Sequence, residues 1–362
     1  MERKQEKNNQ EKNNQEHNKN IEEENLIAGS SNSQLTLQSS TNQSNFRIDL
    51  ATKYGYIHTK IDRITITGRP TEKLIDSFGN SVQLYDNTGL LSEISITRDG
   101  EFSSYVGQLF PEKNQNCFVS YEPVKSLKMG DIRPFRMDFN PNKLTINNLG
   151  IALRKIIPYL KDIAITRIDF AFDFERDLSN IFVDWSASKR EFFDKTGALK
   201  TRYYGNEASD YQIVFYDKKQ ERLNKTTDEN EKELFSSFDT LWRIEFRLHN
   251  NNFIKNQIKR NFSVLEKQRI TTRNYDLLDT LELSAQEKIF IRASDDYPEL
   301  FKQLGNSTKS KYRKLREQIS EIDLTDIFRD TLVKAEIGLG EVHSVNAVEF
   351  FSDILQAKIP KI

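Results

Sequence analysis

The sequence predicts an α+β protein, with an antiparallel β-sheet flanked by helices and a mainly helical, basic C-terminal region. Apolar and polar residues alternate at period two through most of residues 46–250, which is typical of strands with one buried face. The dipeptide Asp99-Gly100 directly after one such segment is a hairpin signal. Segments with helical spacing lie between these strands, but strands and helices do not alternate regularly. This pattern argues against a parallel sheet.

Several helices are predicted beside these strands. One covers about 71–78, and a longer one covers about 145–161, where Pro158 should end or kink it. A third is predicted over 184–193. Farther along, a capping Asp begins a predicted helix at 323–332.

Composition divides the chain into four predicted segments. Residues 1–45 contain no aromatic side chain and are dominated by Asn, Gln, Glu, Lys and Ser. Such a segment cannot bury enough apolar surface to offset the entropy of ordering, so we predict a disordered tail. Residues 46–250 are predicted to form the sheet domain, residues 251–335 a basic helical region, and residues 336–362 a C-terminal tail.

The composition also excludes several classes of protein. A single cysteine, Cys117, excludes a disulfide framework and a Cys-rich zinc or iron–sulfur site. No apolar run approaches the ~20 residues that span a bilayer, and the polar N-terminus is unlike a secretory signal peptide, so a cytoplasmic protein without a membrane partner is expected. The near-equality of 53 Lys and Arg with 54 Asp and Glu conceals segments of unlike charge.

Four predicted strands carry an unusual charged face. They cover residues 135–140, 167–174, 211–218 and 242–248. Opposite their apolar faces, three of them read Arg-x-Asp, Arg-x-Asp-x-Ala-x-Asp and Arg-x-Glu, and the segment 211–218 carries Tyr216 and Lys218. One interpretation is a solvated sheet surface with cross-strand ion pairs. The other is phosphate chemistry, because carboxylates hold Mg²⁺ or Mn²⁺ and arginines clamp phosphate oxygens.

The charged faces supply candidate ligands for metal and phosphate. The candidate metal ligands are Asp138, Asp169, Asp173 and Glu245, and the candidate phosphate-binding arginines are Arg167 and Arg243. Asp169 and Asp173 are about 13 Å apart along one strand at ~3.3 Å per residue, so one of them should pair with Glu245 or Asp138 instead. The four His residues form no His-hydrophobic-His motif, so a site built from carboxylates favours Mg²⁺ or Mn²⁺ over zinc.

The residues around Tyr216 resemble a known signature. Residues 203–222, YYGNEASDYQIVFYDKKQER, resemble the motif of plasmid rolling-circle replication initiators of the Rep_trans type, best known from small staphylococcal plasmids. Other blocks follow the order of that family: RMDFNPNKL at 136–144, TRIDFAFDFE at 166–175, LWRIEF at 241–246, and KYRKL with ISEIDLT between 311 and 325. The ordered resemblance extends from about residue 60 to 335.

The resemblance implies a sequence-specific DNA nicking-closing enzyme. In the family a tyrosine attacks one strand of the plasmid's double-strand origin and becomes joined to the 5′ phosphate, and the freed 3′ hydroxyl primes synthesis. The matching residue is Tyr216 in FYDKKQE, which makes residues 46–250 the nicking domain. The resemblance further implies a bacterial cytoplasmic protein that acts on duplex and single-stranded origin DNA, with a host helicase and a second copy of the chain as partners.

The family also associates the basic region with origin recognition. Clustered Lys and Arg side chains are the electrostatic footprint of duplex binding, although a solvated helix face is the alternative interpretation. The residues predicted to contact DNA are Lys259, Arg260, Lys309, Lys311, Arg313, Lys314 and Arg316.

Tyr216 needs an activating neighbour, because the pKa of a free phenol is near ~10. Lys218 is a candidate to lower that pKa or to contact phosphate. Relatives often carry a base just before the tyrosine, whereas none occurs at 211–215, so that contact is missing or supplied by Arg202, Lys218 or Lys219.

Two neighbouring tyrosines are rivals for the nucleophile. Tyr203 and Tyr204 precede the polar turn and lie outside the Lys-Lys block, and stacking on single-stranded bases is their alternative role. At the level of the whole chain, the alternatives are a relaxase of a conjugative element with the same chemistry, a non-catalytic DNA-binding regulator, and a metal-dependent phosphodiesterase without a covalent intermediate.

Overall fold

A computed structural model of the chain describes residues 48–52, 55–71, 74, 95–99, 102–110, 115, 117–122, 133–184, 189–265, 269–325, 327–328, 337–338 and 344–361. The predicted tail at 1–45 lies outside the described residues. The predicted helices at about 71–78, 184–193 and 323–332 lie partly outside them.

An antiparallel sheet of eleven strands, counted over the described residues, organises the fold. Its strands are β1 Ile48–Thr52, β2 Gly55–Pro70, β3 Ser95–Asp99, β4 Phe102–Leu109, β5 Cys117–Tyr121, β6 Phe135–Phe139, β7 Leu160–Phe174, β9 Lys189–Phe193, β10 Leu199–Tyr204, β11 Tyr211–Asp217 and β12 Trp242–His249. Their order is β3-β4-β5-β6-β2-β7-β12-β11-β10-β9, and β1 also pairs with β2. Two small sheets pair β8 Ile181–Val183 with β13 Ile270–Thr272, and β14 Ile337–Gly338 with β15 Ser344–Val345.

Helices accompany the sheet, which makes the chain an α+β protein as predicted. They are α1 Ile146–Ile156, α2 Lys218–Lys225, α3 Glu229–Ser236, α4 Asn251–Lys259, α5 Leu277–Thr280, α6 Ala285–Asp296, α7 Glu299–Lys302, α8 Asn306–Gln318 and α9 Ala347–Leu355. The helix predicted at 145–161 is confirmed as α1, which the Thr145 side chain caps. It ends before Pro158, which lies in a 3₁₀ turn that leads into β7.

The helix predicted over 184–193 is wrong where it is described, because Lys189–Phe193 is strand β9. The cause is the turn that follows. The Asp194 carboxylate accepts hydrogen bonds from the backbone N–H groups of Thr196 at 2.8 Å and Ala198 at 3.0 Å, and Gly197 adopts a φ of 84°. This turn folds the segment back as a hairpin, so pairing with β10 overrides its helical composition.

The apolar face of the sheet carries the core. Phe172 of β7 and Phe246 of β12 both pack edge-on against Phe328, with ring centroids 4.9 Å apart in each pair. Helices α4 and α9 also pack on β7, and Phe350 and Phe351 of α9 are buried. The core therefore includes side chains from beyond residue 250, some of them within the segment 336–362.

The four charged segments are strands β6, β7, β11 and β12, as predicted. Tyr216 on β11 lies opposite Arg243 on β12, and Arg243 lies opposite Asp173 on β7. Directly opposite residues in antiparallel strands project to the same side, so these side chains share one face. Within the described part of the chain, no helix is long and apolar enough to span a membrane.

Candidate active site

Strand β2 contributes an acid, Asp62, to the charged face, and the sequence pattern did not predict this residue. Period-two alternation from the buried Ile64 would place Asp62 on the apolar side. The register against β7 shifts between Ile61 and Arg63, which marks a β-bulge, and Asp62 instead lines the charged cleft beside Arg63. A bulge changes the facing of one residue without a distinctive composition, so alternation alone could not reveal it.

Arg243 is the centre of the charged face. Its side chain is buried, with the residue only 1% exposed, and its Nε and Nη2 donate to the Asp173 carboxylate, the latter at 2.7 Å. Its Nη1 lies 3.3 Å from Asp62 Oδ2 and 3.7 Å from Glu245 Oε1. Three carboxylates from three strands thus converge on one guanidinium, which explains how so many acids are buried together.

This convergence holds the ion pairs in their charged forms. Burial alone would raise the pKa of Asp173, but Arg243 and Lys60 hold that pKa well below its usual range. In the same way, burial opposes ionisation of Asp62, yet Arg243 and Lys60 lower its pKa to about 2. Both acids are therefore carboxylates at any pH near neutrality.

The Tyr216 hydroxyl donates a hydrogen bond of 2.5 Å to Glu245 Oε1. Burial is the main cause that raises the pKa of Tyr216 well above its usual value, and Glu245 and Asp62 add to that effect while Arg243 opposes it. The phenol is therefore protonated in this arrangement. The side chain placed to take its proton is Glu245, and Arg243 is the cation that favours the phenolate.

Lys218 lies over the ring of Tyr216, with Nζ 5.5 Å from the ring centroid. It is the first residue of α2, which Asp217 caps, and Nζ donates to Glu221 at 2.8 Å. Burial lowers the pKa of Lys218 to about 8, and Arg243 contributes to the lowering. From this position Lys218 stays a candidate both for lowering the Tyr216 pKa and for contacting phosphate.

The two other candidates for the missing base are turned elsewhere. Arg202 lies opposite Phe215 on the apolar side of the sheet and donates to Glu191 at 2.6 Å. Lys219 donates to the backbone carbonyl of Phe238 at 2.5 Å. Lys218 is therefore the member of this trio that lines the cleft.

The cleft brings together most, but not all, of the predicted site. It has a volume of about 310 Å³, and the predicted residues in its lining are Arg167, Asp169, Asp173, Tyr216, Lys218, Arg243 and Glu245. Asp138 is not among them. It accepts hydrogen bonds from Arg63 and Arg136, and its strand β6 is three positions from β12, about 14 Å at ~4.8 Å per strand.

The lining is strongly cationic. Nine Lys and Arg residues but five Asp and Glu residues contribute to it. Lys60, Arg63 and Arg247 belong to this set and were not predicted as site residues. They lie on strands whose charged faces meet at the cleft, and an excess of cations at a partly closed surface attracts a phosphodiester backbone.

Among the described residues, no group of three or more His, Cys, Asp and Glu side chains is arranged to hold a metal ion. The predicted set of four carboxylates is instead engaged by arginines. Asp169 forms a two-point pair with Arg167, at 2.8 and 2.7 Å, and Glu245 Oε2 accepts from Arg247 at 2.6 Å. Burial raises the pKa of Asp169 to about 6 despite that pair.

Asp62 is held by longer contacts than Asp173 and Glu245, each of which accepts a hydrogen bond of 2.7 Å or shorter. Its Oδ1 accepts from Asn140 Nδ2 at 3.2 Å, and its Oδ2 lies 3.3 Å from Arg243. Mg²⁺ takes oxygen ligands and is usually held by one or two carboxylates together with substrate phosphates and water. The donor chemistry at Asp62 fits an ion of that kind.

The residues predicted to contact DNA differ in exposure. Lys259, Arg260, Lys311, Arg313 and Lys314 are exposed, and Lys309 is half-buried. Arg316, however, is buried, and its Nη2 lies 2.9 Å from Asp295 Oδ1 and donates to Ser294 Oγ at 2.9 Å. Its guanidinium does not reach the surface of α8, because that face of the helix packs inward.

Comparison of the chain with known proteins identifies its family. A family model described as the N-terminal part of replication initiation proteins, RepD-like, matches residues 99–160. Two curated relatives from Staphylococcus aureus, each named replication initiation protein, are 31% and 30% identical over 302 and 298 residues. Each alignment covers 80% of this chain and 88% of the relative. The chain belongs to the family of replication initiation proteins.

This membership confirms the family predicted from the sequence. A solved rolling circle replication initiator protein from Geobacillus stearothermophilus is also similar, over 60% of this chain and 87% of that chain, at 15% identity and a TM-score of 0.33. At that level the likeness does not establish which residues correspond. The roles of individual residues in this replication initiation protein therefore follow from its own geometry.

Proposed function

We propose that this replication initiation protein starts plasmid rolling-circle replication, by nicking one strand of origin DNA with Tyr216 and later closing it. The observation that carries the proposal is the hydrogen bond from the Tyr216 hydroxyl to Glu245, made inside a cationic cleft. A nucleophile bonded to a base beside a cation that stabilises its anion is the arrangement that covalent catalysis requires.

The nicking step follows from these contacts. The Tyr216 proton moves to Glu245 Oε1 while Oη forms a bond to phosphorus, and the bond from phosphorus to the 3′ oxygen breaks. The 3′ oxygen leaves and takes up a proton. We assign this acid to Lys218, whose Nζ lies 5.5 Å from the centre of the Tyr216 ring and whose pKa burial lowers to about 8. One phosphodiester becomes another, so the reverse reaction rejoins the strand without a further energy source.

Arginines and metal complete the proposed site. Arg243 favours the Tyr216 phenolate, and we assign the binding of a phosphate oxygen to Arg167, which lines the cleft while paired with Asp169. Asp62 is the carboxylate that would hold Mg²⁺ or Mn²⁺, which when bound neutralises charge on the reacting phosphate. Glu245, predicted as a metal ligand, is assigned here to proton transfer.

A relaxase of a conjugative element would use the same chemistry, and the names of the relatives favour an initiator. Binding of origin DNA through the basic region, recruitment of a host helicase and pairing of two copies of the chain belong to this proposal. They are supported by the family resemblance and, for DNA, by the exposed cations of α8.

The decisive experiment incubates the protein with supercoiled plasmid carrying its own origin, with Mg²⁺ or Mn²⁺, and resolves the products on denaturing gels. The wild type should give a protein–DNA adduct, and Tyr216→Phe should give none because the nucleophilic oxygen is absent. Tyr204→Phe is the matched control, since Tyr204 lies on the neighbouring strand but is buried on the apolar side. An adduct that persists in Tyr216→Phe would contradict the nucleophile, and no nicking by the wild type would favour a non-catalytic regulator.

A further inference from the structure

Strands β9 and β10 continue the face that carries Tyr216. Thr201 on β10 lies directly opposite Tyr216, and Phe192 on β9 lies opposite Thr201. Two pairs farther along, Tyr203 on β10 lies opposite Arg190 on β9. By alternation, Phe192, Tyr203 and Arg190 therefore project to the same side of the sheet as Tyr216.

These three side chains form one cluster. The rings of Phe192 and Tyr203 meet edge-to-face with centroids 5.8 Å apart, and the Arg190 guanidinium lies 5.4 Å from the centre of the Tyr203 ring. Phe192 is nevertheless 52% exposed, on the strand that ends the described sheet. Edge strands usually carry charge there, so an exposed phenylalanine at such a position needs an explanation beyond folding.

We propose that Phe192, Tyr203 and Arg190 form a stacking platform for the bases of single-stranded DNA next to the phosphate that Tyr216 attacks. Aromatic rings interleaved with cations are the surface that binds single strands without regard to sequence, since every base has a π-face. The inference rests on the proposed function, because the nick defines where the strand lies.

Two observations support this occupant. The platform lies on the same face of the sheet as Tyr216, which lines a cleft with nine cations and five acids, so a backbone bound in the cleft can continue across β10 and β9. The distance is also suitable. Strand β9 is two positions from β11, about 10 Å at ~4.8 Å per strand. At about 3.4 Å per nucleotide, the platform meets bases within about three nucleotides of the scissile phosphate.

The first test measures binding of fluorescent (dT)₁₂ in a Tyr216→Phe background, which cannot be trapped covalently. Phe192→Leu keeps an apolar side chain but removes the ring, and should weaken binding roughly 5- to 150-fold, the range for one lost stacking contact. Phe193→Leu is the matched control. Phe193 is 58% exposed on the same strand but projects to the other side, so its replacement should change the affinity by no more than about twofold. Phe192→Trp should retain binding.

The second test locates the contacted base. A single abasic site is moved through the three positions on each side of the mapped nick in an origin oligonucleotide. At one or two positions the abasic site should weaken binding by the wild-type platform as much as Phe192→Leu does, and should have little further effect on Phe192→Leu. Absence of such coupling at every position, or equal binding by Phe192→Leu and Phe193→Leu, would overturn the platform.

The two proposals fail in different ways. If the wild type forms no adduct but Phe192→Leu still loses affinity for (dT)₁₂ relative to Phe193→Leu, the platform stands and the nicking function falls. If the wild type forms the Tyr216 adduct and the two leucine variants bind alike, nicking stands and the platform falls. In that case, the exposed ring of Phe192 would instead point to a protein partner.

Discussion

At Tyr216, the neighbouring strand β12 supplies both the carboxylate that accepts the hydroxyl hydrogen bond and a cation that favours the phenolate. Glu245 accepts a hydrogen bond from the hydroxyl, and Arg243 opposes the effect of burial on the phenol pKa. Lys218 lies over the ring from a third direction. Arg243 is directly opposite Tyr216 in the sheet, and its effect on the tyrosine pKa was not predicted from the sequence.

The pH dependence of nicking should report Lys218. Its charged form is present below a pKa of about 8, so the single-turnover nicking rate should fall as the pH rises through 8. Lys218→Arg keeps its charge and should remove this falling limb, whatever its effect on the maximal rate. Rates measured from pH 6.5 to 9.5 in both proteins check the prediction.

The titration of Lys218 does not lower the nicking rate at high pH by unfolding the protein. Because burial lowers the folded-state pKa of Lys218, the unfolded chain binds more protons between about pH 8 and the ordinary lysine pKa. This residue therefore makes the folded state more stable, not less, as the pH rises through that window.

If the nicking rate of Lys218→Arg falls with pH as it does in the wild type, the titration belongs to another group.

The basic residues of helix α8 lie in two different environments. Arg313 and Lys314 are exposed, whereas Arg316 is buried and bonds to Asp295 of α6 and to Asp184. Arg273 joins the same two acids from the end of β13, with Nη2 2.5 Å from Asp184 Oδ1. This buried network connects α8 to the strand and helix beneath it.

Replacing Arg316 should therefore destabilise the protein. Arg316→Ala leaves Asp295 buried with one fewer cation, and we expect the free energy of unfolding to fall by about 3 kcal/mol. Arg313→Ala, an exposed arginine on the same helix, should change it by about 0.5 kcal/mol or less. Urea titration monitored by circular dichroism measures both. Equal effects of the two substitutions would contradict the structural role of Arg316.

At the scale of the whole molecule, the charged residues that the structure describes are concentrated in two kinds of place. The cleft gathers acids and cations on one face of the sheet, while exposed Lys and Arg side chains occur on α8 and at the end of α4. A near-neutral total therefore conceals two chemical environments. Duplex affinity should depend on the second of these, since neutralising phosphates releases counterions.

Salt dependence measures that contribution. Replacing both Arg313 and Lys314 by Ala should lower the slope of log affinity against log salt concentration for origin duplex by about 2, roughly 0.9 per lost phosphate contact. Lys358 and Lys361, exposed near the C-terminus, are the control pair and should leave the slope unchanged when both are Ala. Filter binding over a range of salt concentrations checks this. An unchanged slope for the α8 pair would remove α8 from the duplex interface.

The sequence by itself determined the four charged strands, the family and the candidate nucleophile. Period-two alternation depends on the backbone alone, and the YDKK block around Tyr216 is local in the chain. Other features depended on partners distant in sequence. A bulge in β2 brings Asp62 to the cleft, and packing of α8 buries Arg316. Each of these outcomes was decided only in the tertiary structure, because register and helix packing choose which side of an element faces water.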